Sequence, residues 1–155
     1  MKPYAIIPLA VCIAGIATLA HSEPGLPQIV QGAIDSSRKE CQPEQFKPLK
    51  AFVRQQDVNG DGHPDFILNY GEAQCGDAST YYCGTGGCLT QVFVSRDDGT
   101  YVQVLDENVR RLRFARVKGR PAMLLDLHGS ACGRAGAEPC AMTLYWNGSA
   151  FSPAN

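Results

Sequence analysis

Neither sign of charge dominates this chain. Its 14 lysines and arginines stand against 15 aspartates and glutamates, and a nucleic-acid binder carries a strong basic excess, so the balance argues against a nucleic-acid partner. Beyond residue 20 no apolar run approaches the roughly 20 residues that cross a bilayer, so no membrane span is expected in the rest of the chain. Catalytic signals are equally scarce. There is no G-x-S-x-G elbow to expose a nucleophilic serine. No second acidic motif opposes the single acidic loop, as glycoside cleavage by two carboxylates requires. These absences point to a chain that binds and does not catalyse.

The richest stretch is Asp57-Val58-Asn59-Gly60-Asp61-Gly62-His63-Pro64-Asp65, a glycine-bearing loop between two apolar runs. A hard cation such as Ca²⁺ takes six to eight oxygens, and a chain curling around it presents positions 1, 3 and 5 inward and a main-chain carbonyl at 7. Asp57, Asn59 and Asp61 fit the first three, and the His63 carbonyl is the fourth. Gly62 sits at the sharp turn, and Asp65 at position 9 closes the ring. An EF-hand would place a bidentate glutamate at position 12, where this chain has Leu68. The flanks are rich in Phe, Val, Ile and Leu, which suits strands. The loop resembles the Asp-x-Asn-Gly-Asp-Gly-x-x-Asp calcium loops of FG-GAP and VCBS repeats, which join two strands, and the resemblance implies a Ca²⁺ cofactor with a structural role.

The first 22 residues have the outline of a secretory signal peptide: Met1-Lys2, an uncharged apolar run from Ala5 to Ala20, and a mature start bearing Pro24. Residues 23–155 then form a single domain, calcium-binding and β-rich, in the periplasm or outside the cell. Without Lys2 the charge is 13 basic minus 15 acidic, or −2. Loss of Cys12 with the leader leaves Cys41, Cys75, Cys83, Cys88, Cys132 and Cys140, an even number that implies disulfides in an exported chain. Six cysteines allow fifteen pairings. Short loops suggest Cys83 with Cys88 and Cys132 with Cys140, and Cys41 with Cys75 would then tie the N-terminal segment to the sheet. The rival reading is zinc, held by Cys75, Cys83 and Cys88 or near His128 and Cys132.

Leu26, Ile29, Val30, Ala33 and Ile34 recur at helical spacing behind Pro27, which predicts an amphipathic helix over 26–39. Short strands are expected at 49–56, 65–70, 88–95, 100–106, 111–117, 122–128, 140–146 and 149–152. Asp97-Asp98-Gly99, Lys118-Gly119-Arg120-Pro121 and Asn147-Gly148 are the turns of three hairpins. The fold class is mainly β (α+β): an antiparallel curled sheet, or partial propeller blades of short hairpins, stapled by disulfides.

Three further groups carry possible chemistry. Asp126, His128 and Ser130 follow one another at the end of a leucine-rich strand, and His128 and Ser130 enter a glycine-rich loop of the kind that presents binding residues. Arg110, Arg111, Arg113, Arg116, Lys118 and Arg120 form a basic stripe. It is either an anion-binding surface or, alternating with Leu112, Phe114 and Val117, the wet face of a half-buried strand. Tyr81 and Tyr82 beside Cys83 either anchor a partner or cover the disulfide.

Taken together, the leader, the Asp-rich loop, Cys-Gly-Thr-Gly-Gly-Cys and the hairpins ending in Asp-Gly-Thr-Tyr and Asn-Gly-Ser-Ala-Phe resemble small periplasmic immunity proteins of Gram-negative bacteria, which are similar to periplasmic lysozyme inhibitors. That resemblance implies a protein partner, a lysozyme-like peptidoglycan hydrolase, whose cleft receives a short loop. Thr100 and Tyr101 are the loose counterpart here. An envelope polysaccharide bound along the arginine stripe is one alternative, and a hydrolase or carbohydrate-active enzyme using Asp126, His128 or the carboxylates of the 57–65 loop is the other.

Overall fold

The computed structural model describes residues 25–154, so the expected signal peptide and Cys12 lie outside the described residues. One helix, α1 (Gln28–Glu40), begins directly behind Pro27, and Arg38 and Lys39 stand in its last turn, where positive charge suits the helix dipole. Eleven strands follow: β1 (Phe46–Pro48), β2 (Val53–Gln56), β3 (Asp65–Asn69), β4 (Ala73–Cys75), β5 (Cys83–Gly84), β6 (Gly87–Ser95), β7 (Tyr101–Val109), β8 (Arg111–Val117), β9 (Arg120–Leu127), β10 (Cys140–Trp146) and β11 (Phe151–Ser152).

All the pairings are antiparallel, and none of the sheets closes. The first large sheet runs β2-β3-β6, with β7 along the far side of β6 and the two-residue β5 beside its start. The second runs β11-β10-β9-β8, and β1 pairs with β4 in a small ribbon. Arg110 alone separates β7 from β8, so the chain turns from one sheet to the other at a single residue.

Alternation along β3 and β6 builds the layers. Side chains on successive residues point to opposite faces, and Phe66, Leu68 and Phe93 meet Val30 and Ile34 of the helix together with Phe46, Phe52, Tyr70 and Tyr82. Their neighbours Ile67, Val92 and Val94 face the other way, onto Met123, Leu125 and Leu127 of the second sheet. The first sheet is therefore the middle layer, and each of its faces carries a hydrophobic core. An extra residue at Val104 shifts the β6–β7 register between Val92 and Phe93, a β-bulge of the kind that increases local twist.

The six cysteines form Cys41–Cys75, Cys83–Cys88 and Cys132–Cys140, the pairs that short loops suggested. This corrects the zinc alternative, because among the described residues no thiolate remains to bind metal. It also points to an oxidising, non-cytoplasmic compartment. No described helix is long and apolar enough to cross a membrane. The expected strand at 49–56 is shorter than predicted, because Leu49–Phe52 is a turn closed by the Phe52 amide on the Leu49 carbonyl.

Tyr82 is buried, edge-on to Phe46, and its hydroxyl donates to the Ser37 carbonyl at 3.1 Å. Burial, assisted by Tyr81, Glu40 and Tyr70, pushes that hydroxyl's pKa up to about 12. Of the two readings of this tyrosine pair, the core role holds for Tyr82. Tyr81 is 51% exposed and donates to the Glu40 carbonyl.

Candidate functional site

The 57–65 loop is shaped by its own side chains. Asp57 accepts the amides of Gly60 at 2.6 Å and Gly62 at 3.0 Å, Asn59 Oδ1 accepts the Asp61 amide, and Asp61 Oδ1 accepts the His63 amide at 2.8 Å. These are Asx-type turns, in which a short polar side chain bonds to main chain a few residues on. Gly60 and Gly62 both have φ above +80°, a region that other residues enter only with strain.

Asp65 differs from the others in being fully buried. Its Oδ2 accepts the Val58 amide at 2.8 Å, and its Oδ1 accepts the Ser95 amide and the Ser95 hydroxyl, each at 2.9 Å. It thus pins the loop to the end of β6. Burial raises its pKa, and the three hydrogen bonds only partly offset that. Burial also pushes Asp61 upward, but hydrogen bonds from Asn59 and the His63 amide, the charge of His63 and the Ser95 hydroxyl together leave it below the ordinary carboxylate value.

The all-oxygen donors of Asp57, Asn59 and Asp61, with the His63 carbonyl, suit a hard cation. Asp65 is already committed to Val58 and Ser95. Among the described residues no three His, Cys, Asp or Glu side chains converge into a ligand group, so the loop's geometry is set by its own amides.

The hairpin between β6 and β7 stands beside this loop. Asp98 accepts the Thr100 amide at 2.9 Å and the Thr100 hydroxyl at 2.6 Å, and both bonds hold its carboxyl below the usual range. Tyr101 packs edge-on to Phe66 and donates from its hydroxyl to the Pro64 carbonyl at 3.2 Å. At the β10–β11 hairpin Asn147 Oδ1 accepts the amides of Ser149 and Ala150. Between these three turns lies a shallow depression of about 370 Å³, lined by Asn59, Asp61, Ser95, Asp98, Trp146 and Ser149 among others.

His128 and Ser130 lie at the opposite end. β6 runs from Gly87, just after Gly86 where a Cβ would stand 3.8 Å from His128 Cβ, to Ser95 beside the loop, about 26 Å of strand at the usual rise. His128 Nδ1 and Ser130 Oγ are 2.7 Å apart, and the ring lies so close to Gly136 that a Cβ there would stand 2.3 Å from Nε2. Asp126 turns instead to Arg111, at 3.8 Å. The three residues therefore do not form a relay of hydrogen bonds, since among the described residues no carboxylate orients His128. Thr100 and Tyr101 are brought to the acidic loop, and His128 and Ser130 are not.

Arg110, counted with the basic stripe in the sequence, works inside the fold. Its guanidinium donates to the carbonyls of Thr85 and Gly136, tying the Cys83–Cys88 loop to the Cys132–Cys140 loop. Gly87 completes that corner: a Cβ on it would stand 2.0 Å from the Val109 carbonyl oxygen. Sequence reasoning did not single out this corner, nor a cavity of about 650 Å³ beside it, whose lining includes Arg54, Ile67, Thr90, Arg111, Arg113 and Phe114. The alternation of Arg111 and Arg113 with Leu112 and Phe114 marked one wall. Arg54 and Thr90 carried no signal, because they reach the cavity from strands distant in sequence.

Searched against protein families, curated proteins and solved structures, the chain matches none.

Proposed function

We propose that this chain is a binding protein of the periplasm or the extracellular space that occupies the active-site cleft of a lysozyme-like peptidoglycan hydrolase and performs no turnover itself. The observation that carries the reading is the Asp98–Tyr101 hairpin. Two hydrogen bonds to Asp98 fix Thr100, and Tyr101 is anchored on Pro64, so an exposed turn is held rigid before any partner arrives. Such pre-organisation lowers the ordering cost of binding. Calcium belongs to the same proposal. Asp57, Asn59 and Asp61, with the His63 carbonyl, would hold it, while Asp65 remains the internal brace. Two four-strand antiparallel runs, β2-β3-β6-β7 and β8-β9-β10-β11, are compatible with partial propeller blades.

Of the residues with nucleophilic or acid–base potential, the described cysteines are held in disulfides, Asp65 in the core and Asp126 on Arg111, and the His128–Ser130 pair lies at the far end from the hairpin. That supports binding over catalysis. The test is a peptidoglycan hydrolysis assay across several lysozyme types with the purified chain at saturation. Inhibition of at least one enzyme that weakens in Tyr101→Ala is expected, and undiminished hydrolysis in all of them rejects the reading. For the metal, the melting temperature should rise in millimolar calcium relative to chelator, and Asp61→Ala should abolish the rise. Equal melting points with calcium and with chelator remove the ion from the proposal.

A further inference from the structure

The 650 Å³ cavity has a construction that the hairpin reading leaves unused. Its floor is the inner face of the first sheet, where Arg54, Ile67, Asn69 and Thr90 come together from three neighbouring strands. Its wall is β8, and four consecutive residues, Arg111 to Phe114, line it. Alternate residues would line it if β8 offered a face. Four in a row mean that its edge is presented, and among the described residues β8 is the last strand of its sheet, paired only with β9. A strand edge carries main-chain donors and acceptors that the sheet itself does not use.

The charge around this edge is one-sided. Arg54, Arg111 and Arg113 are exposed at the groove, and Glu72 is the one carboxylate in its lining. Among the described residues Arg54 and Arg113 have no ion-pair partner, and Arg111 has only Asp126 at 3.8 Å. Arg110 is excluded from this count because its guanidinium is taken by Thr85 and Gly136. Arginines also guard edges against unwanted sheet pairing. Here, however, they surround a groove with apolar surface inside it, supplied by the half-buried Leu112 and Phe114 with buried Ile67 and Val109 behind them.

We infer that the groove binds an extended acidic peptide segment, added as a further strand on the open edge of β8. An added strand alternates its side chains between two faces. Apolar residues at every second position would lie over Leu112 and Phe114, and the intervening acidic residues would run beside Arg111 and Arg113, which share one face of β8. Peptide main chain satisfies the unpaired edge. A sulfated or uronic polysaccharide satisfies only the charge. The segment can belong to any exported protein with this alternation, so the inference goes beyond the hydrolase reading and survives its failure.

The test uses the full chain with a fluorescently labelled, end-blocked octapeptide of alternating glutamate and valine, its lysine–valine counterpart, and dextran sulfate as a non-peptide polyanion. The glutamate peptide should bind in anisotropy measurements and the lysine peptide should not. Hydrogen exchange should slow at the 111–117 amides that point away from β9. Arg113→Glu should weaken binding about tenfold or more, the scale of one charge-assisted contact, while Lys39→Glu, exposed on α1 across the first sheet from the groove, leaves it unchanged. Unaltered melting of Arg113→Glu verifies its fold. Absence of glutamate-peptide binding overturns the inference. So does binding without protection of β8, or dextran sulfate displacing the peptide with the same Arg113 dependence, which reassigns the groove to anionic polysaccharide.

Discussion

The two ends of the molecule are made rigid by different chemistry. At one end the 57–65 loop and the hairpins at Asp98 and Asn147 are held by Asp and Asn oxygens accepting main-chain amides, with Asp65 buried beneath them. At the other, the loops at 83–88 and 132–140 are closed by disulfides and joined by the Arg110 guanidinium. A carboxylate brace answers to protons and cations, whereas a disulfide answers to reductant. The same β6 strand carries both ends, so a solution change that loosens one need not disturb the other.

The largest effect is expected where the carboxylate end is broken at its root. Asp65→Ala leaves the Val58 amide, the Ser95 amide and the Ser95 hydroxyl buried without their acceptor. Loss of about 4 kcal/mol follows from the cost of such unsatisfied groups. Urea unfolding should show it, and exchange of the 57–65 amides should speed up before that of residues 132–140. A loss below about 1 kcal/mol would mean that the loop does not depend on its buried aspartate.

Breaking the opposite end costs less. The eight-residue separation of Cys132 and Cys140 gives about 2.5 kcal/mol of loop-closure stabilisation on the chain-entropy account. Cys132→Ser with Cys140→Ser should lower stability by that order while the 57–65 loop keeps its exchange protection. Equal loosening of both ends would show that they are one cooperative unit, not two.

Much of the fold was legible because it is local. The helix behind Pro27, β3, β6, β8 and β10 follow from periodicity bounded by turn residues, and each lies within two residues of its expected limits. Strands β1, β4 and β5 were not legible. Phe46-Lys47-Pro48 and Ala73-Gln74-Cys75 are too short to alternate, and their pairing depends on a chain brought back near the Cys41–Cys75 bridge. The loop's aspartates were visible by spacing. Asp65's partner Ser95 was not, since thirty residues separate them. The groove was hidden for the same reason: nothing along the chain shows that Arg54 and Arg113 border one space.

The smallest effect sharpens the comparison by pH, because the carboxylates of one end are displaced in opposite directions. Asp65 is raised by burial, so above the unfolded value of roughly 4 the folded protein keeps a proton that the unfolded chain has released. Stability therefore falls as pH rises through that window, and it recovers as pH falls back toward 4. Asp61 and Asp98 are lowered, so below about 4 the unfolded chain binds protons first and stability is lost as pH falls further. Urea midpoints in chelator should thus pass through a maximum in mild acid. Asp65→Asn should flatten the limb above it and spare the limb below. The cystine itself carries no proton in this range, so Cys132→Ser with Cys140→Ser should shift the whole curve down without moving its maximum. A maximum that moves with the disulfide, or a limb untouched by Asp65→Asn, would break the division between the two ends.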